Sequence, residues 1–92
     1  MGRNRYPQLT TREVQDILKA RGFVLLRTSG SHEHWGAIIK DERRIVTVDL
    51  HGDFGRDIIK SMIRQSGLTR EEFYCSTKKT AKRLNKEIDP EL

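Results

Sequence analysis

The residues best suited to chemistry in this 92-residue chain are three histidines, His32, His34 and His51, and a single cysteine, Cys75. A lone cysteine excludes an internal disulfide and the zinc frameworks built on paired cysteines. The histidines match no zinc-ligand spacing and have no cysteine nearby, so neither a metal nor any other cofactor is expected. What remains is proton transfer, because imidazole gains and loses a proton near neutral pH. His32 and His34 fall within Gly30-Ser31-His32-Glu33-His34-Trp35, where a glycine turn leads into strand-like sequence. On residue type alone, a turn histidine bonded to the backbone is the simpler account of His32. His34 reads as an exposed strand residue or a phosphate contact, and His51 as a loop residue.

Eighteen lysines and arginines against thirteen aspartates and glutamates give a net charge of +5. That balance suits an anionic partner, whether nucleic acid, acidic protein or anionic membrane, and suits mere solubility equally well. The candidate phosphate contacts are Ser31, His34, Lys40, Arg44 and Lys60, with Arg27 and Arg43 in a second rank. Counting by twos puts Arg27 on the same side as Phe23 and Leu25, so its head would have to emerge at the strand end. Arg43 and Arg44 adjoin Asp41 and Glu42, as in a solvated hairpin tip. Lys78, Lys79, Lys82 and Arg83 form the densest basic run, a pattern that is most often only solvated.

The elements that must hold these residues are short. Ninety-two residues make one domain with a thin core, which favours work on an open surface. Thr10 and Glu13 have capping-box spacing, Val14, Ile17 and Leu18 make one apolar stripe, and Gly22 stops the helix. Phe23–Thr28, His32–Ile39 and Ile45–Leu50 read as strands, separated by turns at Ser29–Ser31 and Lys40–Arg43. A further turn at His51-Gly52-Asp53 precedes a second helix, which Asp57 should cap. Its apolar face is Ile58, Ile59, Met62 and Ile63, and it should stop at Gly67. Thr69 and Glu72 then start a short third helix. In the second strand Trp35, Ala37 and Ile39 share one face, the core side, which leaves His32, His34, Gly36 and Ile38 on the other.

The expected fold is α+β, in the order α-β-β-β-α. A three-stranded antiparallel sheet carries two helices on one face, with a C-terminal helical appendage and the other face open to water. Residues 1–9 are expected to be a loose lead-in, 10–76 the domain, and 77–92 a charged tail. No apolar run approaches a membrane span, and the N-terminus lacks an apolar signal core, so a cytoplasmic protein without membrane contact is expected.

Three stretches together resemble the HicA family of bacterial toxins. They are a first helix ending at Gly22-Phe23, the Gly30-Ser31-His32 turn, and Ile59-Lys60-Ser61-Met62-Ile63-Arg64-Gln65-Ser66-Gly67-Leu68 at the second helix. The resemblance covers about residues 10–74. It implies a double-stranded-RNA-binding-domain-like fold, cleavage of messenger RNA, and neutralisation by a HicB-type antitoxin protein. It also implies that the histidine after Gly-Ser, His32, is catalytic. The family commonly shows a second histidine next, where this chain has Glu33, and often opens the second helix with Gly-Thr or Gly-Ser, where this chain has Asp57-Ile58. One histidine is chemically sufficient. RNA supplies its own nucleophile, the 2′-hydroxyl, and positioned acid–base help contributes about 10²–10⁴-fold. The competing account is a non-catalytic RNA-binding or protein-interaction module of the same fold.

Overall fold

The first helix starts as its sequence requires. The Thr10 hydroxyl accepts from the Glu13 N–H at 3.1 Å, and the Glu13 carboxylate accepts from the Thr10 N–H at 3.0 Å. This capping box opens α1 (Thr11–Ala20), whose Val14, Ile17 and Leu18 are wholly buried. Gly22, at φ 85°, turns the chain out of the helix through the left-handed region, and Phe23 drops into the core. The computed structural model describes residues 5–52 and 54–92; residues 1–4 of the lead-in and Asp53 of the expected turn lie outside them.

Three strands follow, β1 (Val24–Ser29), β2 (His32–Ile39) and β3 (Glu42–Asp49), in the order β1-β2-β3 and antiparallel throughout. Both hairpin turns are tighter than the sequence suggested. Gly30, at φ 61°, closes the first. The second is only Lys40-Asp41, both at positive φ (52° and 69°), which matches the twist of the strands they join. Glu42, Arg43 and Arg44 are therefore strand residues and not part of a hairpin tip.

Trp35, Ile39, Val46 and Val48 line the buried face of the sheet, as the alternation in β2 requires. The helices pack there with Phe54, Ile59, Met62, Phe73 and Tyr74. All six residues of β1 are exposed, despite the apolar run Val24-Leu25-Leu26. β1 is an edge strand beyond the reach of the helices, and only Phe23, just before it, is buried.

α2 spans Arg56–Ser66 and starts earlier than expected. Gly55 is the N-cap, with no side-chain cap, so Asp57 sits inside the first turn and complements the helix dipole instead of capping. Gly67, at φ 76°, ends the helix. Thr69 and Glu72 form the second capping box and open α3 (Arg70–Tyr74).

The end of the lead-in touches the domain. Leu9 is buried and bridges to Phe54, and the Tyr74 hydroxyl donates to the Pro7 carbonyl at 2.6 Å. The C-terminal run forms α4 (Lys78–Ala81) and a 3₁₀ turn (Lys82–Leu84), and two arginines fasten it to α1. Arg83 donates to both carboxylate oxygens of Glu13. Arg21 donates to Ser76 Oγ (2.8 Å), to the Glu72 carbonyl (2.7 Å) and to Asp89 (2.9 Å).

Candidate active site

Strand pairing arranges the open face into rungs, because residues directly opposite one another share a face. His32, the first residue of the central strand, lies between Ser29 and Asp49. His34 lies between Arg27 and Thr47, and Gly36 between Val24 and Ile45. Arg43, opposite Ile38, closes the series. Successive rungs are two residues apart, roughly 7 Å along the strand. The open face thus has a polar end, with both β2 histidines, and an apolar end where Val24, Leu26, Ile38 and Ile45 surround Gly36.

The polar end is held from several sides. The Leu50 N–H donates to the Ser31 carbonyl at 2.7 Å and fixes the turn that launches His32. His34 Nδ1 meets Thr47 Oγ1 at 3.3 Å. The Thr47 N–H, on the outer edge of β3, donates to Gln65 of α2 at 3.1 Å. That bond links the second helix to the rung of His34. Asp49 accepts from the His51 N–H at 2.9 Å, which places the turn carrying His51 at the same end of the sheet.

Glu33, directly after His32, faces the other way. Its carboxylate accepts from Gln15 Nε2 (2.9 Å) and from the Trp35 indole N–H (3.0 Å), so it ties β2 to α1 behind the site. Alternation requires this, since 33 and 35 share a face that 32 and 34 do not.

Ser31, His32 and His34 are brought together, whereas Lys40, Arg44 and Lys60 lie elsewhere. Lys40 occupies the far hairpin turn, eight residues or roughly 26 Å along β2 from His32, and pairs with Glu72 at 2.8 Å. Arg44 is opposite Ala37, on the helix side, where it pairs with Glu42 and lies against Gly67. The Lys60 ammonium sits over the Tyr6 ring, 5.6 Å from its centroid.

Arg27 lies on the open face, contrary to the count by twos. A β-bulge between Leu25 and Arg27 adds one residue to β1, so Leu25 is opposite Trp35 but Arg27 is opposite His34. The extra residue, Leu26, reaches over Gly36 from the open side, and a Cβ at 36 would lie 2.7 Å from its Cδ1. Thr47 and Asp49 also join the site unannounced. Only the register of β3 against β2 could have revealed them. Among the described residues no group of three or more histidines, cysteines or acidic residues could hold a metal ion.

The family model described as HicA toxin of bacterial toxin-antitoxin matches residues 11–68, from the first residue of α1 to the residue after Gly67. No curated protein and no solved structure matches the chain. The matched segment is more than half of the chain and contains all three strands, both main helices and the whole histidine-bearing face. The chain therefore belongs to the HicA family of toxins from bacterial toxin–antitoxin systems.

Proposed function

We propose that this toxin is an endoribonuclease that cleaves messenger RNA without a metal, using His32 as its catalytic histidine. The 2′-hydroxyl of the RNA attacks the adjacent phosphorus as its proton leaves, and the 5′-oxygen departs as it gains one. His32 serves one or both transfers, since imidazole is competent as acid and as base. Ser31 and His34 hold the phosphate. The observation that carries this reading is the shared open face of His32 and His34 at the end of the central strand, with Arg27 and Thr47 on the rung of His34. Because the nucleophile belongs to the RNA, EDTA should leave the rate unchanged and DNA should not be cut.

The test is induced expression of the wild type and of His32→Ala in a bacterial host, with growth and total mRNA integrity followed together. Growth arrest and mRNA loss with the wild type alone support the reading. Identical, harmless behaviour of both refutes the catalytic assignment.

A toxin of this family has an antitoxin partner. The exposed aliphatic cluster of Val24, Leu26, Ile38 and Ile45 adjoins the histidines and favours this same face as the antitoxin's seat, since apolar patches rimmed by polar groups mark protein contacts. The toxin would work in the cytoplasm. No helix among the described residues is long and apolar enough to cross a membrane.

A further inference from the structure

We propose that Arg27 is a phosphate-gripping residue of the RNA site, delivered to the open face by the bulge at Leu26. The inference rests on the nucleic-acid reading above and adds to it the residue that supplies the positive charge.

Three observations carry it. First, the register sets Arg27 directly opposite His34, one rung from His32. Second, Arg27 is exposed and makes no ion pair or side-chain hydrogen bond among the described residues. Of the other candidate phosphate contacts on the sheet and α2, Lys40 has Glu72, Arg44 has Glu42 and Lys60 has the Tyr6 ring, while Arg43 lies opposite Ile38 at the apolar end, away from the histidines. Third, the rungs of His32 and His34 are roughly 7 Å apart, close to the spacing of successive phosphates along an RNA strand. A backbone whose scissile phosphate lies at His32 would therefore bring its neighbouring phosphate to the rung of His34 and Arg27. A guanidinium can grip phosphate through two parallel N–H donors, which an ammonium cannot.

The bulge gives the arrangement its logic. With regular pairing onward from Leu25, Leu26 would be opposite His34, and Arg27 would be opposite Glu33 on the helix side. The added residue keeps Leu25 on the helix side, seats Leu26 over Gly36, and turns Arg27 outward. Bulges re-aim side chains in this way beside functional sites.

The probe is a short single-stranded 2′-O-methyl RNA, which has no free 2′-hydroxyl and is not cut. Its affinity is measured across a salt series for the wild type, Arg27→Ala, Arg27→Lys and, as a control of equal charge loss on the helix layer, Lys19→Ala. The logarithm of affinity falls with the logarithm of salt concentration by about 0.7 per phosphate contacted on a single strand. Arg27→Ala should weaken binding about tenfold and make the slope shallower by about 0.7. Arg27→Lys should recover the slope and part of the affinity, and Lys19→Ala should match the wild type. An unchanged slope in Arg27→Ala overturns the proposal while leaving the RNA reading intact, as does an equal change in Lys19→Ala. Loss of antitoxin binding with RNA binding unaltered would assign Arg27 to the protein interface instead. A wild type that does not bind the RNA removes both readings.

Discussion

Glu13 and Arg83, seventy positions apart, form a two-pronged pair in which each carboxylate oxygen accepts from a different guanidinium nitrogen. Glu13 is almost wholly buried and also completes the α1 capping box, so one carboxylate holds both the start of the first helix and the C-terminal run. Removing Arg83 leaves that carboxylate buried with only the exposed Lys79 ammonium, at 3.5 Å, as a charge partner. Arg83→Ala should therefore destabilise the domain by about 2 kcal/mol, read as a lower midpoint in urea. An unchanged midpoint would mean that the Arg83–Glu13 pair adds nothing net to stability.

The same carboxylate makes stability depend on acid. Burial pushes the Glu13 carboxyl up, but the Thr10 N–H, Arg83 and Lys79 together outweigh burial and hold it below its ordinary value of 4.5. Glu72 is lowered by its bond from Lys40, and Asp89 by the Glu91 N–H and then by Arg21. A folded value below the unfolded one means the contribution is complete above the unfolded value and is lost as pH falls through the folded one. Urea midpoints should stay level above about pH 5 and drop steadily below about pH 4. In Arg83→Ala the drop should be shallower, because the acid has already lost its main partner.

Gly67 joins two constraints at one atom. Its φ of 76° suits glycine, and a Cβ there would lie 2.6 Å from Arg44 Nε. Gly67→Ala should destabilise by about 1–2 kcal/mol. Adding Arg44→Ala should return part of the loss by removing the clash, whereas purely additive thermal shifts would show that backbone conformation alone is responsible.

Glu33 offers a test of the site's rear support. Glu33→Ala removes the acceptor of both Gln15 and the Trp35 indole, and should cost about 1–3 kcal/mol. Glu33→Gln keeps an acceptor oxygen and should cost less. Glu33→His should lower the melting temperature without raising RNA cleavage, since position 33 faces α1 and not the open face. A gain in cleavage with Glu33→His would contradict that orientation.

Much of this was readable in the sequence wherever the cause is local. Thr10 with Glu13 and Thr69 with Glu72 are three residues apart, and both form their boxes. The alternation Trp35, Ala37, Ile39 picked the buried face of β2 because pleating alone dictates it. The misreadings arose where distant chain segments decide. Val24, Leu25 and Leu26 have core composition, but their burial depends on whether a helix covers the strand, and none does. The bulge that reverses Arg27 has no local signature, so counting by twos placed it on the wrong side. Arg44, Lys60 and Lys40 looked available because Gly67, Tyr6 and Glu72 reach them only after folding. Asp57 has a good capping side chain, but the cap falls two residues before it, at Gly55, so Asp57 lies within the first turn.

The bulge in β1 also bears on solubility. A bare edge strand carrying Val24, Leu25 and Leu26 is a template on which another copy of the chain could extend the sheet. The extra residue interrupts the regular sequence of outward N–H and C=O groups halfway along, and a charged Arg27 follows at once. An incoming strand could match the ladder on one side of the interruption but not on both, which leaves too short a run to seed a growing stack of copies.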